Sequence, residues 1–269
     1  MEILIYNQVM NIQKLKNEII VSSHSISGKG EKDFRIHCHD SYEVLYFVSG
    51  DIHYYIEGET YFPAKGSLLL MPPGVIHGIE ANLTDGYERY VAHIKKEAAA
   101  QSTVLLIEKV FSKGRYYVLN EGSGIKEAFD DMYQASETSD TLFTPSLDAL
   151  LLKILLFQNK AQDVKPEGTT SKIITKVINY LNENFYKEQT LDEIASQFFL
   201  SKHHLNELFR KATGVTVWEY IIRKRIYLAK TLMQKGVSAT EAAYQAGFSD
   251  YSVFYKAYKK RNGKSPKTK

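Results

Sequence analysis

The order of apolar and polar positions changes character along the chain, and its first part is typical of strands. Between about residues 34 and 95, the runs YEVLYFVSG, IHYYIEGETY and GSLLLMP are rich in Tyr, Val, Ile and Leu, with Gly or Pro at their ends. EGE at 57–59 predicts a tight hairpin, and PPG at 72–74 predicts another turn. Several short strands at this spacing predict a small antiparallel barrel or sandwich.

After about residue 97 the apolar positions recur with helical spacing. Residues 98–110, 122–137 and 145–159 are the predicted helices, and Pro145 stands near the start of the third. The apolar surface of this third helix is wider than a single stripe. It is formed by Leu147, Leu150, Leu151, Ile154, Leu155 and Phe157. We therefore expect it to pack on the barrel or on a second copy of the chain.

From residue 171 onward the pattern is almost wholly helical. The preceding stretch KAQDVKPEGTT is polar and contains Pro and Gly, which predicts a linker. The predicted fold class is two-domain α+β. The predicted organisation is a barrel over 1–97, a helical dimerisation segment of the same N-terminal domain over 98–160, a linker over 161–170 and an all-α domain over 171–269.

An internal repeat divides the all-α domain. LDEIASQFFLS (191–201) aligns with ATEAAYQAGFS (239–249), and LNELFRKATG (205–214) then aligns with FYKAYKKRNG (254–263). Each copy predicts a short helix, a tight turn and a second helix. Ser201 and Ser249 are the predicted N-caps, and Gly214 and Gly263 the left-handed C-terminal residues. This is a helix-turn-helix pattern that occurs twice, with a helical hairpin for protein contacts as the alternative.

Composition excludes several classes of protein. The chain has 269 residues, 44% of them apolar and 24% charged, which is ordinary for a globular protein and unlike disordered chains. The lone Cys38 excludes an internal disulfide and a thiolate metal cluster. No apolar run approaches the roughly 20 residues that span a bilayer, and the N-terminus lacks the features of a secretory signal. We expect a cytoplasmic protein with no membrane partner.

Charge is divided unevenly between the two predicted domains. Residues 171–269 carry 18 Lys and Arg and 8 Asp and Glu, a net charge of +10. Residues 1–170 carry 16 and 23, a net charge of −7. The C-terminal part is therefore the part expected to meet a polyanion, with a solvated basic face as the alternative.

The segment 173–266 resembles the DNA-binding domain of the AraC/XylS family of transcription regulators. The matching elements are the two repeat copies and the WEYIIRKRIYLAKTLM stretch between them. The resemblance implies two helix-turn-helix units joined by one long helix, with both recognition helices in successive major grooves of double-stranded DNA. It also implies RNA polymerase as a partner, and activation as the usual outcome. One departure is Phe199, which stands where the second copy has Gly247.

Helix geometry separates the inward positions of the second helix in each copy from the outward ones. The predicted inward residues are Leu205, Leu208 and Phe209, then Val253, Phe254 and Tyr258. By resemblance, the base-reading positions are His203, Asn206, Glu207, Tyr251, Ser252 and Lys256. Asn suits adenine, Lys suits guanine and Glu accepts from cytosine N4. The predicted phosphate contacts are Arg210, Lys211, Arg225, Lys259 and Lys260. The alternative for each of these is a solvated surface residue.

Two blocks of the N-terminal part resemble the two motifs of the cupin barrel: HCHDSYEVLYFVSG (37–50) and GSLLLMPPGVIHGIEAN (66–82). In cupin enzymes the matching positions, here His37, His39, Glu43 and His77, hold a metal ion, and this set suits Fe, Mn, Ni or Zn. Regulators of the family keep such residues without a metal and sense a small molecule, such as a sugar, in the barrel. We therefore favour no cofactor and a ligand pocket that also includes Arg35 and Tyr46. Strand alternation places Cys38 outside that pocket.

Three functions remain open on these grounds. The favoured one is a dimeric regulator, usually an activator, whose cupin-like barrel senses a small molecule and controls DNA binding. The second is a metal-dependent cupin enzyme fused to a DNA-binding tail. The third is a ligand-free regulator whose barrel only dimerises. The enzyme is disfavoured because the chain shows no second acid/base pair, and the regulator architecture accounts for both domains.

Overall fold

The computed structural model describes residues 10–14, 20–27, 37–82, 87–96, 99–118, 123–138, 140–159 and 172–266. The predicted linker and Arg35 lie outside these residues. Within them the chain forms an N-terminal β-rich domain with a helical layer, followed by an all-helical domain. The predicted two-domain fold class is confirmed.

Two antiparallel sheets form the N-terminal domain. Its strands are β1 (Met10–Lys14), β2 (Ile20–Ser27), β3 (Tyr42–Ser49), β4 (Asp51–Ile56), β5 (Glu59–Tyr61), β6 (Ser67–Met71), β7 (His77–Asn82), β8 (Tyr87–Ile94) and β9 (Tyr116–Val118). The larger sheet has the order β1-β2-β8-β3-β6-β9, and the smaller has the order β5-β4-β7. The predicted hairpin at 57–59 joins β4 to β5.

Strand alternation gives the larger sheet two apolar faces. On β3, Leu45 and Phe47 point into a core between the two sheets, which they share with Ile52 and Tyr54 of β4. Val44 and the partly buried Tyr46 belong instead to a second core on the helical side of the sheet. The sheet is therefore the middle layer of the domain. Alternate residues along β3 enter opposite cores.

Three helices cover the outer face of this sheet: α1 (Gln101–Phe111), α2 (Ile125–Thr138) and α3 (Asp140–Gln158). They match the three predicted helices closely. β9 lies between α1 and α2 in the chain and pairs with β6, so the predicted helical segment of the N-terminal domain also contributes a strand to the larger sheet.

Helix α3 is buried along one face. Leu147, Leu150, Leu151 and Ile154 pack in the core that α3 shares with α1, α2 and the sheet. The stretch Thr141–Gln158 is long and apolar enough to cross a membrane, with a mean hydropathy of 1.3. One such helix is weak evidence of a span, and its packing against α1 and α2 accounts for the apolar face.

The helical domain contains α4 (Lys172–Asn184), α5 (Leu191–Gln197), α6 (Lys202–Thr213), α7 (Val217–Gln234), α8 (Ala239–Gln245) and α9 (Tyr251–Asn262). The pairs α5–α6 and α8–α9 are the two repeat copies, and α7 joins them. Two separate apolar cores lie around them, one with α4 to α6 and the N-terminal half of α7, the other with α8, α9 and the remainder of α7.

Side-chain caps fix where these helices begin. The Ser201 hydroxyl accepts a hydrogen bond from the His204 N–H, as predicted for the start of α6. The prediction for Ser249 is wrong, because the carboxylate of Asp250 accepts from the N–H groups of Ser252 and Val253 and caps α9. A carboxylate adds a favourable charge at the positive end of the helix dipole, which explains why it takes this place.

Candidate functional sites

The four residues of the cupin-like motifs converge at one end of the barrel. One ligand atom from each of His37, His39, Glu43 and His77 lies within 4.8 Å of the others. His37 and His77 exchange two backbone hydrogen bonds, of 2.8 and 2.9 Å. The same pairing sets their ring centroids 4.4 Å apart. Two chain segments distant in sequence thus meet at a single cluster.

Glu43 lies at the centre of this cluster and is buried. Its Oε2 is 2.8 Å from His39 Nε2, and its Oε1 accepts a hydrogen bond of 3.1 Å from the Tyr54 hydroxyl. Burial alone would raise the pKa of Glu43, but His77, His93 and His39 oppose this and hold it well below its usual range. The site therefore keeps a carboxylate anion out of water, facing imidazole nitrogens.

His93 on β8 is a fifth member, which the sequence motifs did not indicate. Its Nδ1 lies 3.6 Å from Glu43 Oε2, because β3 and β8 pair in a register that sets Glu43 opposite His93. Burial lowers the pKa of His93 to about 4, so its imidazole is neutral at pH 7. Only strand pairing could have revealed this residue, since nothing in the local sequence marks it.

The hydrogen bonds of two histidines leave a nitrogen facing the carboxylate. His77 Nδ1 lies 3.0 Å from the Val75 carbonyl and His39 Nδ1 lies 2.9 Å from the Ser41 carbonyl. A carbonyl only accepts, so Nδ1 is the donor in the His77 ring. His39 Nδ1 also lies 3.1 Å from the Ser41 hydroxyl, which can donate to it. The buried His77 Nε2 is 3.3 Å from Glu43 Oε2 yet makes no hydrogen bond. A carboxylate only accepts, so the 2.8 Å contact between His39 Nε2 and Glu43 requires a proton on that nitrogen, whereas the buried His77 Nε2 is a nitrogen that a bound cation could engage.

Tyr46 does not belong to this cluster, so the prediction for it is wrong. Its ring lies 6.3 Å from Phe129 and 6.2 Å from Tyr90, in the core under the helical layer. Tyr46 and Glu43 are three positions apart on one strand, so their side chains leave opposite faces of the sheet. Tyr54, on β4 of the smaller sheet, faces the site instead.

The helical domain presents the second candidate site, a basic face made by α6 and α9. Most predicted DNA-contacting residues are exposed there: His203, Glu207, Arg210, Lys211, Ser252, Lys256, Lys259 and Lys260. The cations Arg210 and Lys211 stand in the last turn of α6, and Lys259 and Lys260 in the last turn of α9. The last turns of the two recognition helices thus carry equivalent positive charges.

Arg225 does not lie on that face, and its predicted role as a phosphate contact is wrong. The residue is 5% exposed on α7, and its guanidinium donates hydrogen bonds of 2.6 and 2.8 Å to the carbonyls of Phe185 and Lys187. These bonds tie α7 to the loop between α4 and α5. A buried arginine needs such acceptors, and here the backbone of the domain supplies them.

For three more residues of α6 and α9, the structure differs from the predicted exposure of the side chain. Asn206 is half-buried, and its Oδ1 accepts a hydrogen bond of 3.1 Å from the Val217 N–H at the start of α7. Tyr251 is half-buried and packs against Phe254. Val253, predicted to face inward, is half exposed. Asn206 therefore has a structural role that the base-reading assignment left out.

Comparison with known proteins agrees with the two-domain organisation. Residues 25–155 match the AraC-like ligand binding domain, and residues 194–268 match a helix-turn-helix domain. An HTH-type transcriptional regulator of Bacillus subtilis, YfiF, is 25% identical over 86% of this chain and 77% of its own length. The HTH-type transcriptional activator RhaS of Escherichia coli is 24% identical over 88% and 87%.

A solved structure of ToxT from Vibrio cholerae covers 93% of this chain and 96% of its own, with a TM-score of 0.40 and 14% identity. The two matched domains stand in the same order as the β-rich domain and the duplicated helix-turn-helix of the structure. The domains and the curated relatives are those of regulators rather than enzymes. The chain belongs to the AraC family of transcription regulators, with an N-terminal ligand-binding domain and a C-terminal DNA-binding domain.

Proposed function

We propose that this regulator is a cytoplasmic homodimer that binds its effector at the Glu43 cluster and activates transcription together with RNA polymerase. The observation that carries the effector site is the convergence of His37, His39, Glu43 and His77 within 4.8 Å inside a ligand-binding domain. A buried anion with imidazoles around it offers both hydrogen-bond acceptors and donors to a polar molecule.

Two classes of effector fit this cluster. A polyhydroxylated molecule such as a sugar suits the mixture of carboxylate, imidazole and the Tyr54 hydroxyl, and it agrees with the resemblance to sugar-sensing regulators. A transition-metal ion suits the same four ligands, and the His77 nitrogen that faces Glu43 without a hydrogen bond favours it. If bound, a metal would be held by His37, His39, Glu43 and His77.

Elemental analysis of the purified protein distinguishes the two classes. A metal effector predicts near-stoichiometric Fe, Mn, Ni or Zn, which His39→Ala loses. An organic effector predicts no bound metal, and a rise in melting temperature in a screen of metabolites that His39→Ala weakens. Tyr46→Phe is the matched control, because Tyr46 lies on the other face of the same sheet. A metal-free protein whose ligand response survives His39→Ala would leave the cluster as a structural element.

DNA binding is assigned to residues 171–269 by their charge of +10 and by the two helix-turn-helix units. A chain of these residues should bind the DNA that the full chain selects from a random-sequence pool. Its affinity should fall steeply with salt, because phosphate contacts release counterions. Comparable binding by residues 1–170 would contradict the assignment.

The dimer contact is proposed on the outer face of α3. Leu151, one of the apolar positions of the predicted third helix, is 0% exposed and packs inside the domain, whereas Leu142, Leu152 and Leu156 are 55%, 46% and 54% exposed. These three lie along one exposed face, which a second copy would cover. Glu substitutions at Leu152 and Leu156 should give a folded monomer by light scattering, whereas Leu151→Glu should unfold the domain. A dimer that survives the first pair would place the contact elsewhere.

A further inference from the structure

The barrel of the N-terminal domain contacts the helical domain through the segments that carry the effector-site histidines. We call residues 37–40 and 74–77 the docking segments. His37 and His39 face the Glu43 cluster, while Cys38 between them packs against the core of the first helix-turn-helix unit. In the second segment His77 faces the cluster, and Ile76 is buried in that same helical core. Each segment thus has one face in the effector site and one in the helical domain.

Two ion pairs fasten this contact to α7. Asp40, next to His39, lies 2.7 Å from Lys230 Nζ and accepts a hydrogen bond of 3.2 Å from Gln234. Glu57 lies 2.6 Å from Lys224 Nζ. The Glu57 N–H in turn donates to the Ile76 carbonyl, at 2.8 Å. Both acids are therefore joined through the backbone to residues that neighbour a site histidine.

The approach of the two domains is close enough to require glycine at two places. A Cβ at Gly58 would lie 1.9 Å from Ile178 of α4, and a Cβ at Gly74 would lie 2.4 Å from the ring of Tyr227 on α7. Both glycines also have positive φ. The Gly74 N–H donates to the His39 carbonyl at 2.9 Å, so this turn holds the two docking segments together.

The contact spans both helix-turn-helix units. Ile76 joins the core of the first unit, and Gly58 approaches Ile178 of that unit. Lys230 and Gln234 stand on the last turns of α7, which pack in the core of the second. The DNA-facing residues of α6 and α9 stay exposed while the barrel is docked. Docking therefore leaves the DNA face open and restricts how the two units move relative to each other.

We propose that the docking segments transmit the state of the effector site directly to α7, and that docking holds the two recognition helices at the spacing that operator binding requires. This rests on the proposed function, because it takes the Glu43 cluster as the effector site. The physical basis is preorganisation: two helices that enter successive grooves together bind more tightly when their separation is fixed beforehand. A ligand that shifts His37, His39 or His77 necessarily shifts Cys38, Asp40 or Ile76.

Three double variants test the proposal in the full chain. Lys224→Gln with Lys230→Gln removes both ion pairs from the helical side and lowers the charge by two. Asp40→Asn with Glu57→Gln removes them from the barrel side and raises it by two. The control, Lys176→Gln with Lys235→Gln, lowers the charge by two at exposed positions of α4 and the end of α7.

Amide hydrogen exchange measures the docking itself. The lysine double variant should speed exchange across residues 37–41 and 74–79 by about tenfold, although its substitutions lie in the other domain. The control should leave these amides unchanged. Unchanged exchange in the lysine double variant would overturn the proposal, because the contact would then have no energetic link to the site.

Affinity for a duplex selected by the wild-type chain measures the consequence for DNA. Charge alone predicts opposite effects, with tighter binding by the acid double variant and weaker binding by the lysine one. The proposal predicts weaker binding by both, about fivefold or more, and a loss in the lysine variant that exceeds the control. The proposal would be overturned if the acid double variant bound DNA more tightly while the lysine double variant lost no more affinity than the control. Failure of the wild-type chain to select any duplex would instead overturn the proposed function.

Discussion

The two helix-turn-helix units have a similar backbone conformation in their turns, but the space available to a side chain there differs. Each turn between the paired helices contains one residue with positive φ, Phe199 at 56° in the first unit and Gly247 at 92° in the second. Each recognition helix ends at a left-handed glycine, Gly214 or Gly263, as the repeat predicts. The unusual conformation is thus common to both turns, whereas the residue that adopts it is not.

Space explains the difference. A Cβ at Gly247 would lie 2.3 Å from the carbonyl oxygen of Tyr186, so the second turn admits no side chain. Phe199 is 97% exposed, so its side chain projects into solvent and only the backbone is strained. The same position in a repeat can therefore be fixed by sterics in one copy and merely strained in the other. An alignment alone gives no way to separate these cases.

The two units also differ in how they are covered. The core of the second unit is built from α7, α8 and α9, whereas the core of the first includes Ile76 and is flanked by Cys38 and Tyr55 of the barrel. The first unit is therefore the one whose apolar core continues into the ligand-binding domain. This asymmetry makes the two copies unequal in their contact with the ligand-binding domain.

The largest expected effect follows from the crowded turn. Gly236 has φ 91° and no atom within 4 Å of an added Cβ, so Gly236→Ala should cost only the backbone strain, about 1–2 kcal/mol. Gly247→Ala has the same strain plus the contact with Tyr186, which adds roughly 1–3 kcal/mol. Hydrogen exchange of α4 to α9 measures both without assuming that the two domains unfold together. Equal losses in the two variants would mean that the Tyr186 loop moves aside.

The second prediction compares equivalent outward positions of the recognition helices. Glu207 aligns with Lys256, so the two units present opposite charges at one place. Lys256→Ala should weaken binding by about 1–3 kcal/mol and relax the preference at one base pair. Glu207→Ala should relax a different base pair, and it should strengthen binding to unrelated sequences because a repulsive carboxylate is removed.

Arg210 and Lys259 are the matched controls for that comparison, since they also align and both stand in last turns. Alanine at either should weaken binding to all sequences alike and reduce the salt dependence by about one counterion. Binding to a randomised operator library measures preference and affinity together. If Lys256→Ala behaves like Lys259→Ala, Lys256 is a phosphate contact.

Local patterns were sufficient to predict much of this molecule. The repeat predicted the paired helices and their glycine ends, because caps and turns depend on neighbours in sequence. The convergence of His37, His39, Glu43 and His77 followed from the cupin resemblance, because residues 38–41 lie outside the strands and only Glu43 of the four stands on β3. The prediction for Tyr46 failed, since an odd separation from Glu43 along β3 places it in the other core.

Non-local geometry accounts for what the sequence did not predict. His93 reaches Glu43 through the pairing of β3 with β8, and that register is not encoded near His93. The positive charge of Arg225 predicted an exposed side chain. In the structure it is buried, because its guanidinium donates to carbonyls of the loop that follows α4. The contact of Asp40 with Lys230 joins residues 190 positions apart. Each depends on how elements pack, which no local pattern describes.

The third prediction separates a cap from a base contact. Asn206 aligns with Tyr255, and only Asn206 accepts the N–H at the start of α7. Asn206→Ala should lower the stability of the first unit by about 1 kcal/mol and weaken DNA binding without changing base preference. Asn206→Asp keeps the acceptor, so it should retain stability while bringing a negative charge to the DNA face. A change of preference at one base pair in Asn206→Ala would restore the base-reading role.

The smallest expected effect concerns the strained first turn. Phe199→Gly should release about 1–2 kcal/mol of backbone strain and lose about 0.5–1 kcal/mol through the greater freedom of glycine in the unfolded chain. The net result is a stabilisation of about 0–1.5 kcal/mol, measured as slower exchange in α5 and α6. Phe199→Ala keeps the positive φ and removes only an exposed ring, so it should leave stability nearly unchanged. A clear loss in Phe199→Ala would show that the ring contacts another part of the chain, and the strain would then be the cost of that contact rather than a tolerated feature of an open turn.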